Sequence, residues 1–207
     1  MSTPRFIADL HMGHRNIYKY RTAFVSTEHN DLYWMYLLPE VLTKRDSSFF
    51  EGDVLFDEKY LPFIKELPGT KILIPGNHCT EYIPMKKLCD VFDDVHALLK
   101  YKELWLSHAP IHKDELRGKC NVHGHVHTES IMDAEYLNIS ADSEFTRFMP
   151  RTLFEVREAL ETMKNTGNIY GGLHGAAAKA AILSNPITRD AYNKALAESN
   201  RIKVYYS

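Results

Sequence analysis

Cysteine is scarce, and its spacing makes no pattern. Cys79, Cys89 and Cys120 stand far apart, odd in number and without a CxxC pair. Such a set argues against a disulfide framework and suits free thiols in a reducing compartment. Long hydrophobic runs are missing too, since no stretch approaches the ~20 apolar residues of a membrane span. Near the start only Phe6-Ile7-Ala8 separates Arg5 from Asp9, too short for the core of a signal peptide. Charge of one sign is absent as well: 25 Lys and Arg face 27 Asp and Glu, for a net charge of -2. That balance removes the global basic character that would point to nucleic acid or a membrane surface. These absences predict a cytoplasmic protein. No internal repeat and no low-complexity tract is visible.

What remains is a chain of 207 residues, enough to bury a sizeable core as one domain with a small appendage. Histidine is the unusual component. There are eleven, and His123, His125 and His127 form a tight run. Short apolar stretches alternate with amphipathic ones, which predicts an α/β protein. Strands are expected at Arg5–Ala8, Ser48–Glu51, Lys71–Ile74, Lys119–Val122 and Tyr136–Ser140. A hairpin is expected from Val95–Leu99 and Glu103–Ser107 around Lys100–Lys102. Helical patterns cover Asp31–Thr43, Glu58–Glu66 and Met85–Phe92, with kinks or breaks expected at Pro39 and Pro62. The helix Leu153–Met163 is best marked, because Thr152 and Glu155 make a capping-box pair ahead of an apolar face.

The composition shifts at Asn165-Thr166-Gly167, dividing a domain at 1–165 from a helical extension at 166–207. The extension reads as an Ala-rich helix (His174–Ser184), a break at Asn185-Pro186, a helix (Thr188–Ser199) and a terminal strand. Its five Lys and Arg outnumber Asp190 and Glu198 by three.

Polar clusters recur immediately after the expected strands: Asp9-Leu10-His11, Gly52-Asp53, Gly76-Asn77-His78, Ser107-His108 and Gly124-His125-Val126-His127. In α/β sheets the loops at the carboxyl ends of strands converge on one crevice. Residues at i and i+2 of an extended segment point the same way, so Asp9 with His11, and His125 with His127, reach a common centre. Glycines at 52, 76 and 124 allow sharp turns beside them. Oxygen and imidazole ligands of this kind suit Mn, Fe, Zn, Ni or Co. Seven are too many for one tetrahedral ion and suit two ions that share a carboxylate.

In order along the chain these segments read ADLH, EGDV, PGNHC, LSHAP and HGHVH. This resembles the calcineurin-like metallophosphoesterases, whose pattern runs D-x-H, G-D, G-N-H-D/E, a lone His and G-H-x-H, over roughly the first 160 residues. The resemblance implies a metallophosphoesterase-type α/β sandwich of two mixed β-sheets flanked by helices, here with a C-terminal α-helical extension. It implies two divalent transition-metal ions, Mn foremost. Asp9, His11 and His127 would hold the first, Asn77, His108 and His125 the second, with Asp53 bridging. His78 would bind the phosphoryl group and protonate the leaving oxygen. The pattern departs at Cys79, where the family carries an acid that orients this histidine; Glu81 and Asp57 are the carboxylates nearby in sequence. The segment GHRN at residues 13–16 resembles a GHxN pattern of one small-enzyme branch. That makes His14 and Asn16, beside Asn77, candidates for substrate binding, with Arg15 or Arg21 adding charge; an ordinary polar loop is the plain alternative.

Other residues have plainer readings. His123 shares a face with His125 and His127 and is expected to hydrogen-bond near them rather than ligate. His29, His96, His112 and His174 default to surface or capping roles. Cys79 is expected to be a small buried thiol, and Tyr33, Trp34, Tyr36, Leu37 and Leu38 to be mainly core. The expected function is hydrolysis of a phosphodiester in a rather open crevice. The alternatives are a phosphomonoesterase acting on a nucleotide or phosphoprotein, a nuclease using the basic tail, and a non-catalytic scaffold. The tail's helix–helix–strand order loosely resembles half of a winged helix, which admits nucleic acid as a partner. Its Ala-rich helix is expected to pack on the domain or on a second subunit.

Overall fold

The computed structural model describes the backbone of residues 3–206 and the side chains of residues 3–202. Strands β1 (Thr3–Ile7), β2 (Asp46–Phe50), β3 (Thr70–Leu73) and β4 (Asp94–Val95) run parallel, side by side. A second sheet follows in the order β5 (Leu99–Tyr101), β6 (Leu104–Ser107), β7 (Cys120–His123) and β8 (Tyr136–Asn138). In it β5 is antiparallel to β6 and the rest are parallel. β9 (Arg151–Thr152) returns to the first sheet, antiparallel to β1. The helices are α1 (Ile17–Tyr20), α2 (Thr27–Val41), α3 (Leu61–Glu66), α4 (Cys79–Tyr82), α5 (Met85–Cys89), α6 (Leu153–Thr166), α7 (Gly175–Ser184) and α8 (Pro186–Tyr206). The chain is thus an α/β protein with two mixed sheets flanked by helices.

Two apolar layers follow from the alternation of side chains along the strands. Phe6 stacks on Phe49, ring centroids 5.0 Å apart, and joins Leu104, Leu106, Val122 and Leu137 between the sheets. Ile7, Phe50 and Leu73 point the other way, onto Trp34, Leu37 and Leu38 of α2. α6 carries Val156, Leu160 and Met163 into the inter-sheet layer. It starts on the capping box, with Thr152 and Glu155 bonding reciprocally, and ends on Gly167 at φ 72°.

Several elements differ from the sequence reading. Val95 closes β4 in the first sheet, whereas Leu99–Tyr101 makes the hairpin with β6, so the expected strand Val95–Leu99 is split between sheets. α2 continues through Pro39 to Val41, because the proline falls in its last turn. Pro62 lies in the first turn of α3, where its missing N–H costs nothing. The expected terminal strand is helix: α8 runs unbroken to Tyr206, and the helix–helix–strand order of the tail is not present. His29 is buried rather than superficial, its Nε2 3.2 Å from the carbonyl oxygen of Tyr192. Among the described residues no helix is long and apolar enough to cross a membrane.

The extension shares the core of the domain. Ala191, Tyr192 and Ala195 of α8 and Ala178 and Ile182 of α7 are buried in the same layer as α2. Tyr192 donates its hydroxyl to the Ala23 carbonyl at 2.6 Å, and its ring lies 4.5 Å from that of His29. Tyr192→Ala removes a large buried ring and is expected to lower unfolding free energy by about 3–5 kcal/mol, read from urea denaturation followed by circular dichroism.

Candidate metal centre

The parallel strands β1, β2 and β3 of one sheet and β6, β7 and β8 of the other end on a common rim. One rung ties the sheets there: Ala8 N–H donates to the Ile139 carbonyl at 3.1 Å, and Ala141 N–H to the Ala8 carbonyl at 3.0 Å. The loop after β1 then pairs with the loop after β2. Asp9 N–H reaches Gly52 O at 3.0 Å, His11 N–H reaches Asp53 O at 2.9 Å and Met12 N–H reaches Val54 O at 3.0 Å.

Within this frame the backbone bends sharply. Asp9, His11, Asp53, His125 and His127 all have positive φ, between 47° and 70°. Side chains other than glycine occupy that region at a cost, and such residues cluster at functional sites. The i, i+2 convergence expected of extended segments is therefore produced differently, by left-handed backbone at both members of each pair. Of the three glycines expected to turn sharply, Gly52 does so at φ 86°, and a Cβ there would strike His108 Nδ1 at 2.2 Å. Gly76 and Gly124 instead admit the Asp53 and Asp9 carboxylates, which a Cβ would meet at 2.2 and 2.5 Å.

Two groupings result. Asp9, His11 and His127 form one, and Asp9, Asp53 and His108 the other. Asp9 belongs to both, whereas Asp53, the expected bridge, belongs to the second. Asn77 and His125 complete that second cluster: Asn77 Oδ1 is 2.9 Å from both His108 Nε2 and His125 Nδ1, and those nitrogens are 3.3 Å apart. Asp53 Oδ2 stands 3.3 Å from His108 Nε2. Asp9, His11, Asp53 and His108 are buried, while Asn77 and His125 are exposed, so the cluster opens to solvent on its second side.

These residues fit a cation. Asp9 Oδ2 accepts from His125 N–H at 2.9 Å and Ser140 Oγ at 2.7 Å, but among the described residues its buried Oδ1 has no hydrogen-bond partner, nor does either nitrogen of His11. His108 Nδ1 lies 2.9 Å from the Glu51 carbonyl, which only accepts, so this nitrogen carries the proton. In the neutral ring Nε2 then turns its lone pair toward Asn77 Oδ1 and Asp53 Oδ2, two further acceptors. A shared positive charge relieves that arrangement. Atoms bound to one ion at about 2.1 Å lie about 3.0–3.4 Å apart, close to the 2.9–3.3 Å spacings of the second cluster. His127 Nδ1 lies 3.3 Å from both oxygens of Asp142, leaving Nε2 bare 3.9 Å from Asp9 Oδ1. A carboxylate behind a histidine in this way fixes its tautomer and raises its basicity as a ligand.

Charge is balanced tightly. Burial works against ionisation of Asp9, yet the neighbouring His11, His127 and His108 outweigh it and hold the carboxyl well below the usual range. Burial pulls His11 down to about 4, so its ring is neutral at pH 7. Asp142 is likewise held low against its burial, by Arg21 and His127. Glu51 is the opposite case: burial and the nearby Asp9 push it well above the usual range.

Arg21 corrects one expectation. It is buried and faces inward, donating Nε to Asp142 at 3.0 Å, Nη1 to the Leu10 carbonyl at 3.1 Å and Nη2 to the Asp9 carbonyl. It locks the first ligand loop instead of meeting substrate, while Arg15 is exposed. His123 hydrogen-bonds near the centre rather than joining it, as expected, its Nδ1 2.9 Å from the Gly124 carbonyl. It does not share the face of His125 and His127: it is fully buried beside Tyr136, Met163 and Tyr170, and burial lowers it to about 4. Cys79 sits behind the centre, its Sγ accepting from Gly76 N–H at 3.2 Å and 4.0 Å from Asp53 Oδ1; burial pushes the thiol up. The carboxylate beside His78 is Glu81, one helical turn on, with Oε2 2.9 Å from Nδ1 as an ion-pair contact outside the line of a ring hydrogen bond. Asp57 instead caps a short helical turn by accepting from Lys59 N–H.

His14 and Asn16 lie beside the centre, His14 between two cavities of about 430 and 550 Å³ and Asn16 lining the larger. Their loop is anchored by Asp31, which accepts from Gly13 N–H at 3.0 Å and from the Tyr60 hydroxyl at 2.7 Å. Sequence reasoning missed Asp142, Ser140, Glu51 and Asp31. Glu51, Ser140 and Asp142 offered a signal, as polar residues at or shortly after a strand end, and Asp31 offered none.

No family model matches the chain. A similar protein is the Gene 66 protein of Mycobacterium phage L5, 27% identical over 168 aligned residues that cover 64% of this chain and 81% of that protein. A similar solved structure is that of AQ665 from Aquifex aeolicus, a protein of unknown function, with a TM-score of 0.58. That likeness covers 76% of this chain and 99% of the other at 24% identity, and it speaks for the fold alone.

Asp142→Asn is expected to weaken Mn²⁺ binding about 10- to 100-fold with the fold retained, measured by titration calorimetry and circular dichroism. Burial lifts Asp31 to about 6, so its contribution to stability is full below about pH 4 and is lost as pH rises through 6. Asp31→Asn should remove this dependence, gaining up to about 3 kcal/mol relative to the parent between pH 4 and 7, read from urea midpoints across that range.

Proposed function

We propose that the chain is a metal-dependent phosphodiesterase of the metallophosphoesterase type, using a pair of divalent transition-metal ions of which Mn²⁺ is the working choice. The observation that carries this reading is the convergence of lone pairs from both sheets on one rim. Asp9 Oδ1 is buried and bare, and His108 Nε2 faces two acceptors. When bound, two such ions lower the pKa of water and offset charge on the phosphoryl oxygens.

The chain's own residues divide the remaining work. Asp9, His11 and His127 would hold the first ion, and Asp53, Asn77, His108 and His125 the second, with Asp9 belonging to both groups. Asp142 and Arg21 keep His127 and the Asp9 loop in place. His78 lies at the solvent side with its ring 5.6 Å from that of Phe56, free to place a proton on the leaving oxygen, with Glu81 beside Nδ1 to steady it. A diester is favoured over a monoester because cavities flank the centre on both sides of His14, giving each ester arm a place. Nucleic acid is the weaker reading. Lys194 of the tail is paired with Asp190, and Lys179 lies over the Tyr192 ring.

Protein purified with Mn²⁺ should carry two ions per chain and hydrolyse bis(p-nitrophenyl) phosphate faster than p-nitrophenyl phosphate. Asp53→Asn should abolish turnover, while His78→Ala should keep both ions and lose about 10²- to 10⁴-fold in rate. A preference for the monoester would move the reading to a phosphomonoesterase. Failure to bind any transition metal would overturn it.

A further inference from the structure

We infer that the C-terminal extension builds one wall of the substrate site and selects a phosphodiester whose retained arm is bulky, uncharged and aromatic or apolar. This rests on the phosphodiesterase reading and goes beyond it in assigning a task to the extension.

Between α6 and α7 the chain crosses back over the rim as a strap. Gly172 forms an antiparallel bridge with Ser143, Glu144 N–H donates to the Gly171 carbonyl at 2.8 Å, and Leu173 N–H donates to the Asp142 carbonyl at 2.8 Å. Ser130 Oγ adds a bond to the Tyr170 carbonyl at 2.7 Å. The contact is too close for any side chain at its centre: a Cβ on Gly172 would lie 2.3 Å from Thr128 Cα. The strap is thus seated on the residue that follows His127 and on Asp142, which orients His127.

The next residue beyond the strap's rungs is His174, at the start of α7. It is exposed and makes no side-chain capping bond. His174, Thr128, Ile17 and Tyr20 wall the cavity of about 430 Å³ whose floor is His11, His127 and Asp142. Tyr20 is 76% exposed, far more than a packed tyrosine, and lies at the open edge. Among the described residues no lysine or arginine lines this cavity, and the Asp142 carboxylate is already engaged by Arg21 and His127. Beyond the centre itself a second phosphate would find no lysine or arginine here, whereas an aromatic or apolar group would find Ile17 and the Tyr20 ring, with His174 and Thr128 as hydrogen-bonding groups. The volume suits a group of about nucleoside size.

Which arm enters follows from His78. This proton donor lies on the other side, next to Phe56, which with Tyr82 lines the cavity of about 550 Å³. The leaving arm belongs there. Water oxygen adds to phosphorus and gives up a proton to solvent, and the P–O bond to that arm breaks. The arm's oxygen takes a proton from His78, which regains one from solvent, and the arm held near His174 stays on the product as a monoester.

Bis(p-nitrophenyl) phosphate and methyl p-nitrophenyl phosphate test this, since both release p-nitrophenolate and differ only in the retained arm. The quantity read is the ratio of their kcat/KM values with Mn²⁺, divided by the same ratio for hydrolysis in hydroxide alone. The full chain should favour the bis-aryl ester about tenfold or more, and His174→Ala and Tyr20→Ala should each remove most of that preference. Phe154→Ala, exposed on α6, should leave the ratio as it is. Hydrolysis of both esters with a corrected ratio near one, a ratio unmoved by both cavity variants, or an equal loss in Phe154→Ala would overturn this inference alone. If neither ester is hydrolysed, the phosphodiesterase reading fails and takes this inference with it.

Discussion

A carboxylate taken out of water must find compensating charge or give up its own. Asp9 is fully buried and still held as an anion, because three imidazoles, His11, His127 and His108, surround it. One of its oxygens is spent on Ser140 and the His125 amide, and the other faces inward with nothing to accept. Glu51, equally buried but without those imidazoles, is pushed the other way, well above the usual range, by burial and by Asp9 itself. The difference between the two acids lies in their neighbours, and it locates the place where the fold has prepared for positive charge.

That preparation has a structural cost, met by the ladder of bonds around it. Five ligand candidates take left-handed backbone, each a state worth about 1 kcal/mol or more of strain. The strain is held by main-chain pairing that continues past the ends of β1 and β2 and by the rung between Ala8 and Ser140 that joins the sheets. Arg21 contributes from beneath, one guanidinium engaging two carbonyls of the first ligand loop and the carboxylate that steers His127. Its planar fork suits three fixed acceptors as a lysine would not.

The ligand candidates were legible in the sequence because each follows a strand in a short, polar, glycine-bearing motif. The structure brings Asp9, His11, Asp53, Asn77, His108, His125 and His127 to one rim, with His78 and His14 beside it. What was illegible is what depends on long-range contact. Asp142 looks like any polar residue after a strand until Arg21, far away in the chain, is seen against it. Glu81 becomes the partner of His78 only because α4 turns it back by one helical turn. His123 shares a sequence period with His125 and His127, but the period breaks where β7 gives way to left-handed turns, and the ring is left facing α6. In the tail, alanine content and a break at Pro186 gave both helices correctly. The terminal strand failed because α8 continues as helix to Tyr206.

The strap bears on how a ligand would meet the rim. Its rungs to Ser143, Glu144 and Asp142 and its glycine contact with Thr128 are formed when the chain folds. The cavity wall it carries is therefore a fixture and not a lid. A ligand entering there spends little of its binding free energy on ordering that wall, since the entropy loss was incurred in the folding transition. Preorganisation of this sort favours fast exchange of substrate and product over capture behind a closing gate.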